Sequence, residues 1–279
     1  MCGASLISPD VVLTAAHCVN DTAGLEGRLM VRCGEWDTHA EDEELPHQQL
    51  DVKRILKHPA FNVDNHHNNF ALLFTETPFK LAKHISPICL PEPGRAPTAP
   101  DHCVSHGWGK DKFGSGGKYQ EVLKEVVVPV VNHDVCQKDL RENTRLGIFF
   151  ELDSSFMCAG GVSGVDTCKG DGGSPLVCKM GNSPWYQAGI VSWGIGCGEK
   201  NVPAVYASVA TASCWIDNEV MITNPSISFN IMHCRSQLTT TSKTPTLDLE
   251  TRNVHNVILS IYLLLTLVSK ILKIHRNDL

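Results

Sequence analysis

The segment Asp166-Thr167-Cys168-Lys169-Gly170-Asp171-Gly172-Gly173-Ser174-Pro175-Leu176-Val177-Cys178 is the most informative stretch of the chain. Two cysteines bracket a glycine-rich run, which is followed by the apolar residues Pro-Leu-Val. Glycine adopts backbone conformations that other residues avoid, and a short apolar run bounded by such a turn is typical of a buried strand. The segment therefore predicts a tight turn that leads into a core strand.

The composition places the chain among secreted globular proteins. Its 279 residues are 42% hydrophobic and 19% charged, and the net charge of -6 gives no basic footprint for nucleic acid. Twelve cysteines indicate an oxidising, extracellular compartment. Residues 1–5 have neither the basic nor the apolar region of a secretory signal, so we expect a secreted domain that is incomplete at its N-terminus.

The glycine-rich segment resembles the nucleophile loop of the trypsin-like (chymotrypsin-fold) serine proteases. Active members read Gly-Asp-Ser-Gly-Gly-Pro, whereas this chain reads Gly-Asp-Gly-Gly-Ser-Pro, with Gly172 in the position of the nucleophilic serine. Cys168 and Pro175 fix the alignment on both sides, so Ser174 lies two residues too late. Two extended residues span roughly 6 to 7 Å, beyond the hydrogen-bond distance that a nucleophile needs. We expect Ser174 to be structural.

Two further segments resemble the other catalytic motifs of this family. Thr14-Ala15-Ala16-His17-Cys18 matches the motif of the general base, which would be His17. Asn69-Phe70-Ala71-Leu72-Leu73 matches the segment of the triad aspartate, but asparagine stands in its place. In this family the aspartate-to-asparagine exchange alone lowers turnover roughly 10⁴-fold, because the histidine takes the wrong tautomer. The resemblance implies an inactive triad of His17, Asn69 and Gly172.

The resemblance also implies a peptide-binding cleft. Asp166 corresponds to the base of the specificity pocket in members that cut after arginine or lysine, and Ser192-Trp193-Gly194 to the edge that receives an extended peptide. Ala204 replaces a pocket-lining glycine, so we expect a shallow pocket. Gly170 and Gly172 correspond to the residues whose backbone N–H groups form the oxyanion hole.

The resemblance assigns partners to eight of the cysteines. The implied disulfides are Cys2–Cys18, Cys103–Cys178, Cys136–Cys158 and Cys168–Cys197. No pairing follows for Cys33, Cys89, Cys214 and Cys234. In the family the cysteine at position 89 ties the catalytic domain to a propeptide, so we expect Cys89 to be unpaired in this chain.

An acidic, turn-rich stretch runs from residue 35 to residue 49. Glu35, Asp37 and Glu44 lie where many family members fold a loop around calcium, a cation that takes six to eight oxygen ligands. We therefore regard these three carboxylates as candidate calcium ligands. A solvated acidic loop without a metal explains the same residues equally well.

The implied fold is all-β, with two six-stranded antiparallel barrels, the first strand missing, and a C-terminal helix. It covers residues 1–222 as a trypsin-like domain that is incomplete at its N-terminus. Residues 223–279 form a Ser/Thr-rich linker and apolar tail, which we expect to be nonhomologous and disordered or helical. The apolar run 257–268 is shorter than the roughly 17 to 25 residues of a membrane span, so we do not expect membrane binding.

Together with Gly34-Glu35-Trp36-Asp37 and the glycine-rich loop 110–120, the altered nucleophile loop resembles that of the clip-domain serine protease homologues of insects, particularly the noncatalytic prophenoloxidase-activating factors. The resemblance implies a secreted, inactive cofactor in the proteolytic cascade of prophenoloxidase activation and melanisation in innate immunity. The implied partners are prophenoloxidase, an activating protease or the chain's own clip domain.

Three alternatives stay open from the residues alone. The first is an active trypsin-like endopeptidase, and the second is a cell-surface binding protein anchored by the tail. The third is a folded product of an aberrant transcript that has no function. The first differs from the cofactor hypothesis at Gly172 and Asn69, and the second depends wholly on residues 223–279.

Overall fold

The computed structural model describes residues 2–22, 29–40, 42–99, 101–179, 181, 184–223 and 271–276. In chain order the strands and helices are β1 (Cys2–Ser8), β2 (Val11–Thr14), a 3-10 helix (Ala16–Thr22), β3 (Leu29–Cys33), β4 (Gln48–Lys57), β5 (Ala71–Thr75), β6 (His102–Gly107), β7 (Lys124–Val131), α1 (His133–Asn143), β8 (Phe156–Gly160), β9 (Pro175–Cys178), β10 (Tyr186–Trp193), β11 (Pro203–Ser208), α2 (Val209–Thr223) and β12 (Ile271–Arg276).

The strands form two closed antiparallel barrels of six strands each. The first barrel has the order β1-β12-β3-β4-β5-β2, and the second has the order β10-β11-β8-β7-β6-β9. Helix α2 follows the last strand of the second barrel, and Asn132 caps α1 by accepting a hydrogen bond from the backbone N–H of Asp134. The predicted fold class, two barrels with a C-terminal helix, is confirmed.

The sixth strand of the first barrel comes from the tail. β12 pairs with β1 in a register that places Ile274 opposite Cys2, and with β3 in a register that places Leu272 opposite Cys33. From the sequence we expected a barrel that lacks its first strand and a tail that is disordered or helical; these six residues are instead extended. The physical reason is that β1 and β3 would otherwise each expose an unpaired edge of backbone N–H and C=O groups.

The remainder of the tail, including the apolar run 257–268, lies outside the described residues. No helix in the described ranges is long and apolar enough to span a membrane.

The main hydrophobic core lies where the two barrels meet α2. It brings together buried side chains of the first barrel, the second barrel and the helix: Ile7, Leu13, Phe70, Val177, Ile190, Ile216 and Val220. Every residue of β1 after Cys2 is buried, because this strand packs at the junction of the barrels. Loops from both barrels therefore meet at one line on the surface, where the cleft opens.

Four disulfides join described residues: Cys2–Cys18, Cys103–Cys178, Cys136–Cys158 and Cys168–Cys197. These are the pairings that the resemblance implies. Cys89 is also disulfide-bonded, which corrects the expectation of an unpaired cysteine and suits a buried sulfur in an oxidising compartment. Cys214 is exposed on α2, and burial raises the pKa of the Cys33 thiol to about 12.

Candidate functional site

The three degenerate triad positions meet at the junction of the barrels. His17 lies in the 3-10 helix after β2, Asn69 stands two residues before β5, and Gly172 lies in the turn before β9. A Cβ built on Gly172 would stand 2.8 Å from His17 Nε2. The Nδ1 atom of the same ring lies 2.8 Å from Asn69 Nδ2. The geometry of a protease triad is therefore present, with both partners of the histidine replaced.

The hydrogen bonds of Asn69 determine which nitrogen of His17 carries the proton. The backbone N–H of His17 donates to Asn69 Oδ1 at 2.9 Å, and a backbone N–H can only donate, so the orientation of the amide is fixed. Asn69 Nδ2 then donates to His17 Nδ1 and to Ser192 Oγ, the latter at 2.7 Å. His17 Nδ1 must accept, which places the proton of the neutral ring on Nε2.

The surroundings of His17 keep its imidazole neutral. Burial, with a contribution from the neighbouring His66, lowers the pKa of His17 to about 4. The two rings are stacked with their centroids 5.1 Å apart and their planes 7° apart. His66 has a φ of 59°, in the left-handed region that residues other than glycine seldom adopt. His66 was not among the predicted site residues, because no motif marks it.

Two backbone N–H groups, those of Gly170 and Gly172, have no hydrogen-bond partner in the backbone of the described residues. They are the two positions of the predicted oxyanion hole. The carbonyl of Gly172 accepts from the N–H of Gly3 at 2.8 Å, so only the N–H of this residue is available. Ser174 is buried in contact with Gly3, and its N–H donates to the carbonyl of Asp171 at 3.0 Å.

A cleft of about 310 Å³ contains these groups. Its lining includes four of the five predicted binding residues, namely Ser192, Trp193, Gly194 and Ala204. His17, Gly170 and Gly172 also line it, together with Phe113 and Lys169, which the sequence did not single out. Phe113 and Lys169 lie on loops, where exposed residues of these types carry no motif. No Asp or Glu is among the described lining residues, and Lys169 is the one Lys or Arg.

The fifth predicted binding residue, Asp166, does not line this cleft. Its carboxylate accepts the N–H groups of Thr167 and Gly198, at 2.8 and 2.9 Å. Burial raises the pKa of Asp166 to about 6. Each carboxylate oxygen thus has one backbone donor and keeps a further acceptor site.

Trp193 is held rigidly in the wall of the cleft. Its indole packs edge-on against Phe150 and Phe156, with ring centroids 6.0 and 5.9 Å apart. Next to it, the backbone N–H and C=O of Gly194 have no backbone partner among the described residues. A Cβ built on Gly194 would meet a single described atom, the carbonyl oxygen of Gly196 at 4.0 Å. The strand edge at Gly194 is thus open to an added chain.

Of the three carboxylates predicted to bind calcium, only Glu35 belongs to a cluster of possible metal ligands among the described residues. Glu35 is 1% exposed and lies with Glu43 and His47 in a cluster whose ligand atoms are within 4.8 Å of one another. Asp37 is outside this cluster, because its carboxylate accepts the N–H of His39 at 3.0 Å in a local turn. Glu44 is also outside it.

The cluster fits a cation in part. Arg32 donates to Glu35 Oε2 at 2.6 Å and already offsets one negative charge. Glu35 Oε1 and Glu43 Oε2 are nevertheless buried without a hydrogen-bond partner in the described part of the chain. Buried carboxylate oxygens without donors are costly, and oxygen ligands favour a hard cation. We propose calcium at Glu35 and Glu43, with loop carbonyls and water as further ligands.

If calcium binds there, the melting temperature of the protein will rise with millimolar calcium and fall with a chelator. Binding to the folded state alone adds about 2.7 kcal/mol at a hundredfold excess over Kd, or roughly 5 to 10 °C for a domain of this size. Glu43→Gln should remove most of this response. Glu44→Gln is the matched control and should keep it, and a melting curve insensitive to calcium would rule out the site.

The comparisons with known proteins agree with this geometry. The family described as Trypsin matches residues 1–216. Phenoloxidase-activating factor 2 of Galleria mellonella is 50% identical over 220 residues, which cover 78% of this chain and 71% of that protein. Inactive CLIP domain-containing serine protease A28 of Anopheles gambiae is 41% identical, over 83% of this chain and 59% of that protein.

A third relative, inactive CLIP domain-containing serine protease A3 of Aedes aegypti, is 42% identical, over 78% of this chain and 46% of its own length. The chain therefore spans about half to two thirds of the length of several curated relatives that it matches. Two of these three relatives carry the word inactive in their names, as expected for a site without a nucleophile.

Proposed function

The chain belongs to the trypsin family, as a clip-domain serine protease homologue, and on that premise we propose that it is a secreted, catalytically inactive binding cofactor of an extracellular proteolytic cascade. The observation that carries the proposal is a cleft that has no nucleophile but keeps an open strand edge. The cleft also keeps two oxyanion-type N–H donors, which have no backbone partner among the described residues. Such a cleft can bind a peptide segment without cutting it.

The inactivity follows from two replaced residues. Gly172 offers no hydroxyl, and in serine proteases loss of the nucleophile lowers turnover about 10⁶-fold. Asn69 adds a second defect, because it holds His17 with its proton on Nε2, the nitrogen that would have to accept the proton of a nucleophile. Either defect alone abolishes useful proteolysis.

The binding role follows from what the cleft retains. Gly194 presents its accessible backbone groups beside the immobilised Trp193, an arrangement suited to strand addition, in which main-chain hydrogen bonds supply affinity. One relative is named a phenoloxidase-activating factor. We therefore propose prophenoloxidase, its activating protease or a clip domain as the partner, within the prophenoloxidase cascade of arthropod immunity.

Secretion is part of the same proposal. Four disulfides among the described residues are unusual in a compartment that keeps thiols reduced. Homologues of the clip-domain type are typically secreted, and the disulfides of this chain fit an extracellular role.

If the cleft carries the interaction, Gly194→Leu will weaken binding of prophenoloxidase at least about tenfold and reduce its activation in a reconstituted cascade. The leucine side chain enters open space, so it blocks the edge without disturbing the fold. Gly194→Ala is the matched control, because a single methyl group leaves most of the edge accessible, and it should have an intermediate or small effect.

Trp193→Ala and Asp166→Ala compare a residue that lines the cleft with a carboxylate outside its lining. Because only Trp193 lines the cleft, we expect the tryptophan variant to lose more binding. Normal melting must be verified for each variant. Unchanged binding and activation by well-folded Gly194→Leu and Trp193→Ala would move the interaction to another surface.

A further inference from the structure

The nitrogen of His17 that faces Gly172 is a hydrogen-bond donor, which reverses its role in an active protease. The amide of Asn69 fixes this tautomer, as described above. Among the described residues, Nε2 makes a hydrogen-bond contact with the disulfide sulfur of Cys18, at 3.6 Å. A disulfide sulfur is a weak acceptor, so the Nε2–H group is left almost fully available to a ligand.

Two more donors converge on the same space. The N–H groups of Gly170 and Gly172 have no backbone acceptor in the described ranges, and both glycines line the cleft together with His17. Gly172 carries no side chain, and a Cβ built on it would stand 2.8 Å from Nε2, so the imidazole lies directly against this glycine. Three donors thus line the same part of the cleft, where an active protease holds its nucleophile.

Lys169 is the one charged Lys, Arg, Asp or Glu side chain among the described lining residues. The neighbouring carboxylates of Asp166 and Asp171 each accept two backbone N–H groups, which offset part of their charge. A carboxylate has two acceptor oxygens and gains about twice as much from each donor as a neutral carbonyl does. A neutral carbonyl would use two of the three donors, whereas a carboxylate can use all of them.

The cleft also has a boundary that favours a chain end. A second cavity, of about 440 Å³, shares only Gly170 with the cleft among the described lining residues. The ring of Tyr119 packs directly on Gly170, with its Cε1 atom 2.6 Å from the position of a Cβ there. An intact peptide would continue past Gly170 along Tyr119 into the second cavity, whereas a peptide that ends at Gly172 needs the cleft alone.

We propose that the cleft recognises the free C-terminal carboxylate of a peptide, held by the N–H groups of Gly170, Gly172 and His17 Nε2, with the preceding residues paired to the edge at Gly194. This deepens the proposed function, on which it rests, by defining the ligand as a cleaved chain. The reaction that must supply such a ligand is peptide-bond hydrolysis by another enzyme. The protein would then bind the product of a cascade protease and not its intact substrate.

The test compares two pools of fluorescently labelled pentapeptides that end in arginine, identical except that one has free C-terminal carboxylates and the other has amides. We expect the free-acid pool to bind the full chain at least about tenfold tighter, since hydrogen bonds to a charged group are stronger than those to a neutral group. Fluorescence anisotropy at neutral pH measures both affinities. Equal affinities, or no binding of the free acids, would overturn the proposal.

Asn69→Asp provides a nearly isosteric control for the role of the tautomer. Its carboxylate would draw the ring proton to Nδ1, turn Nε2 into an acceptor and remove the preference for the free acid. Imidazole ¹⁵N NMR should show this change of tautomer, and a proton on Nδ1 in the unaltered protein would contradict the premise. Gly172→Ala, which fills the space beside Nε2, should weaken the free acid more than the amide.

The outcomes separate this inference from the proposed function. If the unaltered protein binds the acid and the amide equally and Gly194→Leu binds neither, the carboxylate site is refuted and the peptide-binding cleft is supported. If the unaltered protein does not bind prophenoloxidase, by contrast, the proposed function is wrong, whatever the peptide affinities are.

Discussion

The Gly172→Ser variant will remain inactive: it will not hydrolyse basic ester or amide substrates and will not be labelled by a serine-directed phosphonate. The reason is the proton on His17 Nε2, which Asn69 holds in place by donating to Nδ1. A new hydroxyl at position 172 would face a donor and not a base. Adding Asn69→Asp should free Nε2 as an acceptor and raise the labelling rate at least about 10⁴-fold over Gly172→Ser alone.

Mass spectrometry of the phosphonate adduct identifies the labelled residue and shows whether it is position 172. Asn69→Asp alone is the control, because it repairs the histidine without supplying a nucleophile, and it should stay unlabelled. Rapid labelling of the single Gly172→Ser variant would contradict the role given to Asn69. A double variant no more reactive than Gly172→Ser would show that these two positions do not account for the inactivity. Labelling of Ser174 in the unaltered chain would refute the inactive assignment.

Ile274→Pro should destabilise the first barrel by about 3 kcal/mol or more. β12 pairs with β1 on one side and with β3 on the other, so its backbone groups are used in both directions. Proline removes one N–H from this ladder, leaves a buried carbonyl without its donor and restricts the preceding residue. For a domain of this size the melting temperature should fall by roughly 6 to 12 °C.

Ile274→Val keeps the backbone and the β-branched side chain, so it should cost no more than about 1.5 kcal/mol. Urea denaturation of both variants gives the difference directly. If the proline and valine variants unfold at the same denaturant concentration, β12 is not the sixth strand of the barrel in solution.

The sequence was most informative where paired cysteines and short motifs fix the alignment. Cys168 and Pro175 bracket the nucleophile loop so tightly that the glycine at position 172 could be assigned from the residues alone. The same holds for His17 and Asn69, which the fold brings within hydrogen-bond distance. Motifs do not show which ring nitrogen of His17 carries the proton. That depends on the hydrogen bond between the backbone N–H of His17 and the side chain of Asn69.

Loops were predicted less well, for a physical reason. The acidic loop offers many carboxylates, and which of them meet depends on local turns such as that at Asp37, so Glu43 and His47 were missed. Asp166 was expected to line the cleft, but it is not among the described lining residues, and its carboxylate accepts two backbone N–H groups. The pairing of β12 was not predictable, because six residues carry too weak a pattern to identify their distant partners.

The place of β12 also affects how the protein can be made. The second barrel is built from one continuous stretch, from β6 to β11, and can form while the ribosome is still at work. The first barrel cannot, since it joins residue 2 to residue 274 and must wait until residues 271–276 have been synthesised. Such distant contacts slow folding and leave strand edges exposed to aggregation in the meantime. During synthesis β1 and β3 therefore keep an unpaired edge longer than the strands of the second barrel do.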